Sequence, residues 1–445
     1  MLKMCNKNKV KKSLKSSFLD GIFASCMVGL TTDYITPYAL FLKATSRQIG
    51  LLNALPNFFS SLIQLKSADL VDKLKSRKKI IAIFVFLHLL MFVPIMMVPF
   101  IFKQNPVIFL IIFICFLNGF NAFAGPVWSS LMSEYIPYRS RGRYFGWRNK
   151  IFGVIIILCS FLAGFILHLH KENPLKGFLL IFGFALVARF ISWCFLLQMY
   201  EPAYRVFKDS YFSFFDFIRR IKESNFVKFV LFVSGLNFCV NLASPFFSVF
   251  MLKDLRFSYI TYTALVISVS IAHIFTINRW GIIADKLGNI KILRFTSFLI
   301  AGIPLVWLIN QNPFYLIFVQ FFSGFAWAGF NLCATNFIYD AVTPPKRTRC
   351  IAYFNVFSGI ASCLGALLGG HLVGIIPGLF GFRILTLFLI SSILRFLVVG
   401  SFSYKIKEVR KVKDIPSKEI FFSMIGIRPS FGITQDSRQL IKKEE

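Results

Sequence analysis

The sequence predicts an all-α integral membrane protein of about twelve transmembrane helices, arranged as two six-helix, pseudo-repeated bundles. Three observations predict it. Apolar runs of spanning length recur along the 445 residues, separated by short gaps. Lys and Arg collect in every second gap. The second half of the chain echoes the first at nearly constant offsets.

Composition agrees with this class. The chain is 56% hydrophobic and 16% charged, with 57 Phe. Soluble domains run near 45–50% apolar and about 25% charged. A spanning helix needs roughly 20 mostly apolar residues, so twelve of them consume most of the chain. The helices are predicted at 18–42 (α1), 48–70 (α2), 79–101 (α3), 105–133 (α4), 146–169 (α5) and 177–200 (α6). The second set falls at 226–251 (α7), 258–284 (α8), 291–310 (α9), 312–340 (α10), 350–375 (α11) and 380–404 (α12).

Taken in order, 1–17 is a basic N-terminal segment. With the apolar run behind it, it resembles a signal peptide, but no small-residue cleavage site follows, so α1 reads as retained. The first gap holds Lys43 and Arg47, and the second holds Lys73, Lys75, Arg77, Lys78 and Lys79. The third holds Lys103, and the fourth holds Arg139, Arg141, Arg143, Arg148 and Lys150. The alternation continues to the end of the chain. Basic residues stay on the cytoplasmic side, so the even gaps and both termini are expected there. The expected location is the prokaryotic cytoplasmic, or inner, membrane, multi-pass.

Between the bundles (18–200 and 226–405) lies a linker, 201–225. Within it Phe214, Phe217, Ile218 and Ile221 share one helical face and charged residues the other. That pattern suits an amphipathic helix lying on the inner leaflet. The tail, 406–445, is charged and carries Pro416 and Pro429, which favours disorder.

The net charge of +31 would suggest nucleic acid in a soluble protein. Here the charge sits in loops on one face, so the expected partners are anionic lipid headgroups at the cytoplasmic face and not nucleic acid. The nine cysteines fall almost entirely inside the predicted helices and form no CxxC pair. The five histidines are scattered. Neither pattern points to a metal or another cofactor, and no oligomer beyond a monomer is expected. No HExxH motif, Walker loop or carboxylate–His constellation occurs, so an enzyme or an ATP-driven pump is disfavoured.

The repeat is specific. Glu134, Arg141, Arg143 and Asn149 match Asp340, Arg347, Arg349 and Asn355 at an offset of 206. Arg189-Phe190 matches Arg395-Phe396 at the same offset. Asp33 and Pro37 match Asn241 and Pro245 at 208, and Asp72-Lys73 matches Asp285-Lys286 at 213. Two such bundles leave a cleft between them, and rocking exposes that cleft to alternate sides.

The segment Gly281-Ile-Ile-Ala-Asp285-Lys286-Leu-Gly288 resembles the G-x-x-x-D-[RK]-x-G loop signature of the major facilitator superfamily, at the place between α8 and α9 where that family carries it. The first-half copy is degraded: Ala68 and Lys75 replace the glycines, while Asp72 and Lys73 remain. The resemblance spans 18–405. It implies the fold of that superfamily and a secondary transporter, with Asp285 and Asp72 bracing one closed state. Topogenic charge is the plainer reading of the same residues. Glu134 with Arg141 and Arg143, and Asp340 with Arg347 and Arg349, are candidate gate pairs.

Polar stripes run inside four helices. Asn118, Asn121, Gly125 and Trp128 share a face of α4; Asn237, Asn241 and Ser244 share one of α7; Gln320, Trp327 and Asn331 share one of α10. Gly29 and Asp33 lie on α1. Polar groups avoid lipid, and the resemblance implies that α1, α4, α7 and α10 line the cavity; interhelical hydrogen bonding is the alternative. Asp33 is the sharpest residue. Intramembrane carboxylates relay protons in transporters, so Asp33 is the candidate coupling group, with Asp20 and Glu134 next; a carboxylate satisfied near the outer vestibule is the alternative. Arg189 and Arg395, also intramembrane, are open to structural pairing or anion binding. Helix α5 lacks the Gly-Pro pair that drug–proton antiporters of the superfamily carry. The expected function is proton-coupled movement of a small-molecule solute by alternating access. A transport-dead sensor or a membrane-embedded lipid-handling protein is the alternative.

Overall fold

The computed structural model describes residues 2–65, 70, 74–136, 138–202, 224–342 and 344–409. Asp72, Lys73, the expected linker helix and the tail from 410 lie outside the described residues. So do the side chains of Arg141, Arg143, Arg347 and Arg349.

Helix α1 begins at Leu2, well before residue 18, and runs to Thr31. Its added turns contain good helix formers such as Lys and Leu, with Val10 and Leu14 packed against a small core formed by α3 and α4. A 3-10 turn, Thr32–Tyr34, interrupts the helix before it resumes as Ile35–Phe41. Pro37 explains the break: its ring has no N–H to donate and crowds the carbonyl four residues back, that of Asp33. Helix α2 is Ser46–Leu65. Helix α3 runs Arg77–Leu90 and Phe92–Ile101, with Pro94 just past the interruption. Helices α4, α5 and α6 are Pro106–Tyr135, Tyr138–Leu169 and Pro174–Leu197.

In the second half α7 is Asn225–Val249, ending in a π-helical turn, and α8 is Tyr259–Leu287. Helices α9 to α12 are Asn289–Ile309, Pro313–Ala341, Pro344–Ile375 and Arg383–Phe402. Ten helices among the described residues, α3 to α12, are long and apolar enough to cross a membrane. Helix α1 falls short of that apolarity because of its basic start, and α2 because of its polar residues, which line the cavity described below. Phe275, Ile309, Phe314 and Phe318 are exposed on the outer surface, where lipid rather than water satisfies them.

The duplication is visible in the packing. In the first half α1 lies against α5 and α6, α2 against α4, and α3 against α4 and α6. The second half repeats each pairing: α7 with α11 and α12, α8 with α10, and α9 with α10 and α12. Between halves, α2 runs along α11 and α5 along α8. Lipid gives no hydrophobic drive for helix association, so close approach of small residues matters. A Cβ on Gly369 would lie 2.1 Å from the Leu242 carbonyl oxygen, which shows how tightly α11 meets α7. The end of the molecule that holds the basic gaps is called the basic end below, and the other the distal end.

Candidate functional site

A cavity of about 340 Å³ lies between the halves, from mid-bundle toward the basic end. Helix α2 supplies Asn57, Ser60, Ser61 and Gln64; α11 supplies Asn355, Ser358 and Ser362; α7 supplies Asn241 and α4 supplies Ala122. The lining is amide and hydroxyl, with no ionisable side chain among the described residues. Asn241 Nδ2 donates to Ser362 Oγ (3.1 Å) and to the Asn237 carbonyl (2.9 Å). Asn355 Nδ2 donates across the halves to Gln64 Oε1 (3.1 Å).

Of the sequence-derived cavity residues, the structure places Asn241 here. Asn121 and Trp128 instead line a second cavity inside the first bundle. Asn118, Asn237, Gln320, Trp327 and Asn331 line neither cavity. Sequence reasoning passes over the α2 and α11 residues, although a signal is present. Asn53, Asn57, Ser60 and Gln64 recur at helical spacing along α2, and Asn355, Ser358 and Ser362 along α11.

The distal end of the cleft is closed by hydrogen bonds between the bundles. Tyr34 OH, from α1, meets Thr263 Oγ1 of α8 at 2.8 Å. Tyr262 OH of α8 donates to the Asp33 backbone carbonyl at 2.7 Å. That carbonyl is the one Pro37 leaves without its helical donor. Tyr34 also donates to the Ser160 carbonyl of α5, and Tyr262 also meets Ser248 of α7 (3.2 Å). Gly164 makes room: a Cβ there would lie 2.0 Å from Thr263 Oγ1. Asp33 sits at this break, half-buried, and its Oδ2 accepts from Ser160 Oγ at 3.1 Å.

The second cavity, about 260 Å³, is lined by charged residues of the first bundle. Asp20 of α1, Arg148 of α5 and Arg189 of α6 are all buried. Arg189 Nη1 donates to Ser192 Oγ (3.2 Å), which donates to Asp20 Oδ1 (2.6 Å). Arg395, at the matching place in the second bundle, is held otherwise. It donates to the Ile300 carbonyl (3.0 Å), the Val240 carbonyl (3.3 Å) and Ser391 Oγ (3.1 Å).

At the basic end each bundle carries a brace. Glu134 Oε1 pairs with Arg77 Nη1 at 2.6 Å, Arg77 being buried. The Glu201 carboxylate caps the first turn of α3, accepting from the Arg77 and Lys78 amides and from Ser76 Oγ (2.6 Å). A carboxylate at a helix N-terminus also meets its positive end. In the second bundle Asn289 Nδ2 donates to Asp340 Oδ2 (2.8 Å), and Glu408 accepts from the Ile290 amide (2.8 Å) at the start of α9. Tyr135 donates to the Tyr200 carbonyl beside the first brace, and burial pushes its phenol up to about 12, so it stays a neutral donor at physiological pH. Asp285 and Lys286 are exposed in the last turn of α8. Gly281 has open space beside it, a Cβ there meeting only Leu332 at 3.8 Å. Gly288 alone links α8 to α9, with φ 88° and ψ 157°, a conformation almost exclusive to glycine. Lys75, at the degraded first-half position, is also left-handed, with φ 50°.

The model of the family described as "MFS_1 like family" matches residues 22–384. No curated protein sequence matches the chain. Among solved structures, the fold resembles a point mutant of the nucleoside transporter NupG, with TM-score 0.71 and 14% identity, over 89% of this chain and 100% of that one. It also resembles a bacterial homologue of the human lysosomal transporter Spinster, inward-facing and unoccupied, with TM-score 0.65 and 14% identity, over 90% and 99% of the two chains.

Proposed function

The chain belongs to the MFS_1-like family, and on that premise we propose that it is a secondary active transporter, moving a small polar solute by alternating access with proton coupling. The observation that carries the reading is the central cavity. It lies between two pseudo-repeated bundles and is rich in amide and hydroxyl groups, where a membrane protein would otherwise bury apolar side chains. Buried polar groups without a ligand's partners are costly, so such a lining suits a solute bearing hydroxyl or amide groups. A nucleoside, the solute named for one neighbour of the same fold, is a reasonable first probe. In this reading the basic end is cytoplasmic, following the charge rule. The distal hydrogen bonds then close the outer gate, and the braces that include Glu134 and Asp340 hold the inner ends of the helices. Asp285 and Asp72, with Lys73, act on the same face. Anionic headgroups meet the basic loops.

The test has two steps. Purified protein is screened by thermal shift against hydroxylated and amide-bearing metabolites, uridine included, because a true ligand stabilises by mass action. Any stabilising compound is then assayed for counterflow in proteoliposomes. Counterflow that Asn241→Leu abolishes supports the proposal. Stabilisation with no counterflow favours a sensor that kept the fold and lost transport. For coupling, Asp33→Asn is expected to abolish accumulation driven by a pH gradient while sparing counterflow. Accumulation with an unchanged pH profile would remove Asp33 from that role and pass it to another carboxylate.

A further inference from the structure

The second cavity holds an imbalance of charge. Two guanidinium groups, Arg148 and Arg189, face one carboxylate, Asp20, and all three side chains are more than nine-tenths buried. Arg148 is stacked between two rings, its guanidinium carbon 4.4 Å from the Trp128 centroid and 4.5 Å from that of Phe152. Its Nη2 reaches the Ser17 carbonyl only at 3.4 Å. The Nε atoms of Arg148 and Arg189 are buried and have no hydrogen-bond partner among the described residues. His88 of α3 is also buried, and its Nδ1 is likewise without one. Helix α4 contributes Asn121 and Trp128 to the wall.

A buried arginine can be satisfied without any such arrangement. Arg395, its counterpart in the repeat, uses two backbone carbonyls and a serine, and needs no carboxylate. The first bundle departs from that solution in three ways: a second arginine, a single counter-charge and an open volume of about 260 Å³ beside them. Unpaired guanidinium donors in a low-dielectric cavity are a recognition surface for a planar oxyanion.

We propose that this cavity binds the carboxylate or phosphate group of an anionic solute, in competition with the Asp20 carboxylate for the two arginines. The site rests on the transporter reading above and narrows its substrate class to hydrophilic anions. Helix α4 contributes to the wall of both cavities, Ala122 lining one and Asn121 and Gly125 the other. The acidic group of the solute is the part this charged cavity recognises. Like-charge repulsion sets the linkage. An anion held by the arginines lies near Asp20 and disfavours its carboxylate form, so Asp20 takes up a proton from solution as the anion enters. An anion and a proton therefore bind together, and by linkage each favours the other.

The experiment is calorimetric titration of purified full-length protein with lactate, with glycerol as the neutral control. One proton taken up per anion predicts that affinity rises about tenfold per pH unit lowered while Asp20 is ionised. Lowering the pH from about 7.5 to about 5.5 should then tighten lactate binding by up to about a hundredfold. Asp20→Asn removes the competitor, so it should bind lactate tightly at the higher pH and lose the pH dependence. Arg148→Gln should abolish binding. Wild-type affinity that is independent of pH, lactate no better than glycerol, or an Asp20→Asn protein weaker than wild type would each overturn the proposal. If Asp20→Asn fails to fold, the wild-type pH series decides alone. Counterflow of a neutral solute with no lactate binding would leave the transporter reading standing and sink the anion site. Lactate binding without counterflow would do the reverse.

Discussion

Replacing both Tyr34 and Tyr262 with Phe should shift the protein toward a state open at its distal end. Each tyrosine makes one hydrogen bond between the bundles, Tyr34 to Thr263 and Tyr262 to the Asp33 carbonyl. Their other bonds, to the Ser160 carbonyl and to Ser248, stay within one bundle. Those are lost equally in both states and cancel. A hydrogen bond contributes about 0.5–1.5 kcal/mol net. The double variant thus loses about 1–3 kcal/mol from the distally closed state alone, a shift of roughly 5- to 150-fold in the equilibrium. The assay is pulsed electron paramagnetic resonance in nanodiscs, with spin labels on Thr45→Cys and Pro377→Cys after removal of the native cysteines. Both positions are exposed at the distal end, one on each bundle. Wild type should give mainly the short distance, the double variant a substantial longer one, and each single variant an intermediate mixture. An unchanged distribution in the double variant would refute the assignment of these contacts as a gate.

Two further outcomes follow from the basic end. Gly288→Ala should cost about 1–3 kcal/mol, because its backbone lies where side chains are rarely tolerated, whereas Lys75→Gly should be nearly neutral, since relief of about 1 kcal/mol of left-handed strain is offset by about 0.5–1 kcal/mol of glycine's extra chain entropy; chemical denaturation in detergent, comparing both variants with wild type, reads the difference, and equal effects would contradict the backbone argument. Glu201→Gln should weaken the cap on α3 by about 0.3–2 kcal/mol, seen as faster hydrogen exchange at the amides of Arg77 and Lys78; unchanged exchange there would mean that the carboxylate holds nothing.

The helices and their duplication are readable in the sequence because lipid imposes a simple rule: long apolar runs, with basic residues on one side. Asn241 is readable for the same reason, as an amide inside such a run. The α2 and α11 residues do not stand out, because serine and asparagine at helical spacing dilute an apolar run without interrupting it. Tyr34 and Tyr262 are hidden differently. In a chain where 17% of residues are aromatic, a tyrosine looks like packing until its hydroxyl is seen bridging two bundles. Pro37 shows itself as a match to Pro245, but its consequence is three-dimensional. It releases a carbonyl whose new donor, Tyr262, lies 229 positions away along the chain. Arg77 reads in sequence as one topogenic charge among several. Only the fold brings it to Glu134, 57 positions on.

The two bundles share a scaffold but not its chemistry. Where the first pairs Arg77 with Glu134, the second sets Asn289 against Asp340. Where the first sets Arg189 near Asp20, the second buries Arg395 among carbonyls. Asp33 stands in the first half where Asn241 stands in the second. Each substitution removes a charge or a titratable group from the second bundle's interior and replaces it with a hydrogen-bonding neutral. A rocking mechanism needs only one bundle to change its charge, since the free energy of closing depends on the difference between the two faces and not on which face titrates. Gene duplication supplies two equivalent frames; the second keeps Arg395 as a buried cation held by carbonyls and a serine, while the residues it gives to the central cavity, Asn241, Asn355 and Ser362, are neutral. If the proposed transport holds, the first bundle would answer to the proton and the solute's charge, and Asn241, Asn355 and Ser362 of the second would meet its hydroxyl and amide groups at any pH.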